Sequence, residues 1–149
     1  MSIMTMMEIG ASGLSAQRRR LEVMVSNLVN ANTTQPQGVE PYRRKDVLFS
    51  PMDMNDPFGK GSFGSIFNNA MNPVKGVQIR EIVSDQSDPI MRYEPDHPHA
   101  DERGYVAYPN VNALEEMVNV MSATRSYEAN LQAVGAARDM LQRTLDIMK

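Results

Sequence analysis

The sequence predicts a mainly α protein with a small β insert, in which long N- and C-terminal helices pair as a coiled-coil-like core around a short-stranded β middle region. Three observations carry that reading. All nine prolines fall between Pro36 and Pro109, so the flanking stretches 1–35 and 110–149 contain none. Both flanks space their apolar residues in steps of three and four, the helical period. The stretch between them holds short runs of β-branched and aromatic residues separated by turn formers. The chain therefore divides into an N-terminal helical segment, 1–35, a proline-rich middle, 36–109, with a flexible loop at 57–76, and a C-terminal helical segment, 110–149.

The N-terminal helix follows the row Ile3, Met7, Gly10, Leu14, Gln17, Leu21, Met24, Leu28 and Ala31. Its candidate assembly seam is Ile3, Met7, Leu14, Leu21, Met24 and Leu28. Gly10 and Gln17 are the weak points of the row, and Gly10 and Gly13 each cost about 1 kcal/mol against alanine in a helix. The stretch SNLVNANTTQPQGVEPYRRKDVLF, Ser26 to Phe49, ends the helix. Asn30 and Asn32 suit that end because asparagine competes for backbone hydrogen bonds and tolerates the left-handed conformation. Pro36 and Pro41 bar the helix from resuming.

The middle offers Tyr42–Phe49 and Val77–Ser84 as strands, the second with Val77, Ile79 and Val83 alternating on nearly one face. Ile90–Tyr93 and Tyr105–Tyr108 are shorter candidates. Pro57–Gly76, PFGKGSFGSIFNNAMNPVKG, reads as a loose glycine-rich loop.

The C-terminal helix follows Ala113, Met117, Val120, Thr124, Tyr127, Leu131, Val134, Arg138, Leu141, Leu145 and Met148. Met117, Val120, Tyr127, Leu131, Val134, Leu141 and Leu145 form its candidate assembly seam. Leu114, Val118, Met121, Ala129, Ala133, Ala137, Met140 and Ile147 widen the stripe. Asn112 is the expected N-cap, and Glu115 and Glu116 place negative charge at the positive end of the helix dipole. At ~1.5 Å per residue the two helices span ~40 and ~55 Å. A compact chain of this length has a radius of gyration of roughly 15 Å. The seams therefore either pair with one another as a hairpin-like coiled coil or bury their apolar surface on other molecules, and both can hold.

Several function classes are disfavoured. A net charge of −3 does not suit a general nucleic-acid binder. The absence of cysteine removes disulfides, thiolate metal sites and cysteine nucleophiles. No apolar run approaches the ~20 residues of a bilayer span. The start MSIMTMMEIG has no basic n-region, so no cleaved secretory signal is expected. His97 and His99, in DHPHADE, could share a metal, but flanking prolines favour an extended connector and no third histidine exists. The Gly59-x-Gly61-x-x-Gly64 pattern follows Asp56-Pro57 rather than a strand, which removes the context of a dinucleotide fingerprint. Arg18, Arg19 and Arg20 do not share a helix face. Ser15, Ser26 and Ser122 have no base motif beside them. No catalytic residue, cofactor, metal or small-molecule substrate is expected. A soluble helical adaptor or secretion chaperone binding one partner through its seam is the alternative to an assembly subunit.

Two blocks carry a resemblance. The run from Ser26 to Phe49, with its NxxNxNT ending, resembles the N-terminal signature of bacterial flagellar rod and hook proteins. Its extended PYRRKDVLF form is similar to that of the flagellar basal-body rod protein FlgC family of the proximal rod. Tyr93 to Lys149, with HPHADERGYVAYPNVN leading into EEMVNVMSATRSYEAN, is similar to the C-terminal half of the same family. Asn27, Asn30, Asn32, Tyr105, Pro109, Asn110, Asn112, Arg125, Tyr127 and Asn130 hold the matching motif positions. The resemblance implies a structural subunit whose terminal helices form the inner layer of a periplasm-spanning rod. It also implies export by the flagellar type III apparatus without signal cleavage. The implied partners are other copies, other rod proteins and the membrane-ring junction protein.

Overall fold

A computed structural model describes residues 3–53 and 75–147. Most of the glycine-rich loop, the Gly59–Gly64 pattern and Met148 lie outside the described residues. The elements run α1 (Ile3–Asn30), β1 (Lys45–Asp53), β2 (Lys75–Ser84), β3 (Ile90–Tyr93), β4 (Tyr105–Tyr108) and α2 (Ala113–Ile147). The fold is mainly helical with a small antiparallel β insert, as the sequence predicts. Helices of 28 and 35 residues measure about 42 and 52 Å.

Asparagine ends α1 by the first of the two expected routes, competition for backbone hydrogen bonds, and not by a left-handed residue. Among the described residues no non-glycine has positive φ. Instead, Asn30 Nδ2 donates to the Ser26 carbonyl at 2.7 Å, and the Ala31 N–H bonds back to the Leu28 carbonyl. A side-chain amide thus competes for a helix carbonyl at the point where the helix ends. At the other end, Asn112 Oδ1 accepts from the Leu114 N–H at 3.1 Å, the expected N-cap of α2.

The four strands form two antiparallel ribbons, β1 with β2 and β3 with β4. β1 begins at Lys45 rather than Tyr42, because Tyr42 and Arg44 direct their side chains into hydrogen bonds with α1 and α2. In β3–β4, Ile90 faces Tyr108 and Tyr93 faces Tyr105. Gly104 closes the return into β4 with φ +80°, and a Cβ there would stand 2.9 Å from the Tyr93 ring. Only glycine fits both constraints. Asp101 Oδ1 braces the same turn by accepting the Arg103 and Tyr105 N–H groups, each at 2.8 Å.

The chain forms two compact units. The first comprises Met1–Arg18, Phe49–Arg80 and Thr124–Lys149; the second comprises Arg19–Leu48 and Glu81–Ala123. α1, α2, β1 and β2 each contribute to both units. The predicted inward face of β2 is not the covered one: Val77 and Val83 are exposed, whereas Ile79, Ile82 and Ser84 are half-buried. β2 leaves one unit and enters the other at Arg80, so no single side of the strand stays covered along its length.

In the second unit Val23, Met24, Ala31, Val47, Val106, Val111 and Ala123 are buried, and Pro109 is fully enclosed. In the first unit the buried apolar side chains among the described residues are Ala16 and Ala137. There Gly10 lies directly under Val134 and Gly13 faces Asn130, so the first part of α1 runs antiparallel to the last part of α2. A side chain at Gly10 would collide with Val134, and this contact explains a glycine that propensity alone disfavours. Ser12 Oγ donates to the Ile9 carbonyl and accepts the Val77 N–H at 3.1 Å, fastening β2 to α1.

Candidate assembly interface

The second unit is organised around a buried polar cluster. Asn27, on the last turn of α1, has no solvent exposure. Its Oδ1 accepts the Lys45 N–H at 3.0 Å and the Tyr42 hydroxyl at 2.9 Å. Its Nδ2 donates to the Lys45 carbonyl at 2.8 Å and to Glu116 Oε2 at 3.2 Å. An asparagine amide offers two acceptor positions and two donors, and all four are used. The two bonds to Lys45 imitate those of a neighbouring strand, so a helix side chain supplies the first rung on which β1 begins.

Glu116 sits in the first turn of α2 and is 1% exposed. Its Oε1 accepts from Arg44 Nε at 2.8 Å. Burial works against the Arg44 charge, but the Glu116 hydrogen bond and the Glu116, Asp46 and Glu115 charges outweigh it and raise the guanidinium pKa. Each oxygen of the buried carboxylate thus has a donor, which a buried charge requires. One cluster joins the end of α1, the start of β1 and the start of α2.

The β3–β4 hairpin carries a second set of polar contacts. Tyr93 and Tyr105 meet edge to face at 5.4 Å, and the Arg92 guanidinium lies 4.5 Å from the Tyr108 ring centre. Tyr108 donates to Glu94 Oε2 at 2.9 Å, and that bond raises its pKa. His99 Nδ1 lies 2.9 Å from Thr34 Oγ1, and His97 Nδ1 accepts the His99 N–H at 3.1 Å. DHPHADE thereby ties the exit segment of α1 to the turn between β3 and β4. Among the described residues no group of three His, Cys, Asp or Glu could hold a metal ion.

Sequence comparison matches these same regions. Residues 7–37 match the family described as flagella basal body rod protein. Residues 102–147 match the flagellar basal body rod FlgEFG protein C-terminal family. The chain is 43% identical to the flagellar basal-body rod protein FlgC of Bacillus subtilis, over 96% of each chain. It is 35% identical to that of Borreliella burgdorferi, over 100% of this chain and 99% of the relative. With that of Salmonella typhimurium the identity is 37%, over 99% and 98%. The chain belongs to the FlgC family.

The FlgC motif positions have defined places. Asn27 is the hub of the buried cluster, Asn30 caps α1 and Asn112 caps α2. Asn32, Asn110 and Arg125 are exposed, Pro109 is enclosed, Tyr105 meets Tyr93 edge to face and Tyr127 is half-buried. Asn130 lies against Gly13. Of the seam residues on α1, Met24 is buried and Met7, Leu14, Leu21 and Leu28 are half-buried; Ile3 lies within the helix. On α2, Val120, Tyr127, Val134 and Leu141 are half-buried, whereas Met117, Leu131 and Leu145 are exposed. Leu114, Met117, Val118 and Met121 form a contiguous stripe in which every member exposes at least half its surface.

Sequence reasoning did not single out Tyr42, Arg44 or, beyond its dipole role, Glu116. The signal was a spacing. Glu116, Ala123, Asn130 and Ala137 recur every seven residues, and this small and polar row packs inward.

Proposed function

We propose that this chain is a structural, non-catalytic subunit of the bacterial flagellar basal-body rod. It belongs to the proximal rod, which links the membrane ring to the distal rod and hook. Its terminal helices form the inner layer, and the middle region lies outside it. Its partners are further copies, other rod proteins, the membrane-ring junction protein and the flagellar type III export apparatus, which it leaves without signal cleavage. Coupled folding and polymerisation is the mechanism: seams left open in one copy are completed by neighbours, and intersubunit packing offsets the entropy of ordering.

One observation carries the assembly part of this reading. The stripe Leu114, Met117, Val118 and Met121 presents apolar surface on a helix whose opposite side is already occupied by Glu116 and Ala123. Such a contiguous face marks an interaction site. The names of the full-length relatives support the rod assignment.

The test substitutes exposed residues only. Val134 rests on Gly10, so a charge there would break the chain's own helix contact. Leu114→Asp with Val118→Asp leaves that contact intact. In a strain lacking the parental gene, the double variant is expected to show parental helicity when purified and to abolish swimming. Normal swimming would refute the exposed stripe Leu114, Met117, Val118 and Met121 as an assembly face. Light scattering separates the adaptor alternative, which gives a fixed small oligomer, from a rod subunit that is monomeric alone.

A further inference from the structure

The two histidines of the chain lie between β3 and β4, and both use Nδ1. His97 Nδ1 accepts the His99 N–H at 3.1 Å. A side-chain acceptor that reaches the N–H two residues on is the geometry of an Asx turn, here made by an imidazole. The donor is a backbone N–H, so His97 Nδ1 carries no proton and the ring proton sits on Nε2. An imidazolium is protonated on both nitrogens and cannot make this bond. His99 differs. Its Nδ1 faces the Thr34 hydroxyl at 2.9 Å, and a hydroxyl can donate to a neutral ring or accept from a charged one. Protonation therefore removes the first bond and spares the second. A charge on His97 also has no close counter-charge: among the described residues neither ring has an ion pair. Asp101 Oδ1 is taken by two N–H groups and Glu94 by Tyr108, while Asp96, Glu102 and Arg103 are exposed. The exit segment of α1, 31–35, brings no ionisable side chain. The ring centres are 5.3 Å apart, so a second proton on His99 adds repulsion.

We propose that His97 is an acid-sensitive latch: neutral, it holds the β3–β4 turn in the shape that seats His99 on Thr34, and protonated, it frees that turn from the exit segment of α1. The Nδ1 lone pair serves either the His99 N–H or a proton. The latch is thus closed at neutral pH and opens as pH falls through the range in which imidazole gains a proton, roughly pH 7 to 5. His97, His99 and Thr34 all lie in the second unit. The inference does not depend on the rod-subunit reading.

The test follows the purified full-length chain by NMR and amide exchange at about pH 7.5 and about pH 5.5, either side of the imidazole range. Ring nitrogen shifts should show His97 as the Nε2–H tautomer at the higher pH. At the lower pH, corrected for the intrinsic exchange rate, protection of the His99 amide should fall about fivefold, as loss of one hydrogen bond predicts. The Thr34 resonances should shift with it. His97→Asn places an amide oxygen where Nδ1 stands and takes up no proton in this range, so its His99 amide should be equally protected at both pH values. His97→Ala should leave that amide weakly protected at both. A residue with a structural role alone would show no difference between the two pH values. An Nδ1–H tautomer at the higher pH, unchanged protection in the parent, or an equal fall in His97→Asn would overturn the proposal. Should His97→Asn fail to fold, the tautomer and the parental pH dependence decide alone.

Discussion

The two units draw on the same pair of helices and end in opposite conditions. In the second, α1 and α2 are joined through Asn27 and Glu116, every hydrogen-bonding position of Asn27 is filled, and apolar side chains from both helices, β1 and β4 are buried around the cluster. In the first, the helices touch through Gly10 and Val134, the buried apolar side chains among the described residues are two alanines, and the Gln17 oxygen waits without a donor. The difference teaches where a chain that assembles can settle its own structure. The buried ionic and amide groups of the second unit are matched within the chain, whereas in the first unit a buried oxygen and most of the apolar surface are left without a partner among the described residues.

The contrast is tested most severely at Asn27. Asn27→Ala leaves the Lys45 N–H and carbonyl, the Tyr42 hydroxyl and Glu116 Oε2 without that partner in an enclosed place. A loss of about 3–5 kcal/mol is expected, since each buried unpaired group costs about 1–3 and the neighbours relax in part. Urea denaturation followed by circular dichroism measures it, and amide exchange should show protection lost first in 19–48 and 81–123. A change below about 1 kcal/mol would mean that the cluster does not organise its unit.

Glu116→Ala comes next, at about 3 kcal/mol. Removing one partner of a buried ion pair strands the other, although the Arg44 side chain, 26% exposed, can turn partly toward water. Arg44→Met combined with Glu116→Leu should recover to within about 1 kcal/mol of the parent, because well-packed apolar replacements of a buried pair are often neutral. If the double variant is no better than Glu116→Ala, packing around the pair, not stranded charge, dominates.

These residues mark the limit of what the sequence discloses. Both helices were legible because proline is confined to the middle and the flanks keep a helical period. β3 and β4 were legible because Gly104 and the surrounding aromatics punctuate them. The sequence pattern sets β1 at 42–49, whereas the strand runs from Lys45 to Asp53, since Tyr42 and Arg44 look like strand residues and are recruited instead by groups 15 and 72 positions away. On α2 a hydrophobic period selects Met117, Leu131 and Leu145, which are exposed, while the inward row is Glu116, Ala123, Asn130 and Ala137. Close approach selects small residues and hydrogen bonding selects polar ones, and neither adds to an apolar count. Val120, Tyr127, Val134 and Leu141, which the hydrophobic period also selects, are half-buried, so that part of the pattern was visible.

The smallest expected effects test the first unit, through two glycines that are chemically identical and sit on facing helices. Gly10→Ala places a methyl group into Val134, and overpacking of this kind costs about 1–3 kcal/mol. The gain in helix propensity returns about 1 kcal/mol. The net expectation is a loss of about 1 kcal/mol, seen as faster amide exchange in 3–18 and 124–147. Gly135→Ala meets nothing within 4 Å. The same methyl group there keeps the propensity gain without the collision, so α2 should become more stable by about 0.5–1 kcal/mol. Opposite signs from one substitution would show that the helices make a specific contact at Gly10 even in the unit that leaves most of its surface open. Equal gains at both positions would show that Val134 moves aside freely, and that the first unit has no fixed packing of its own.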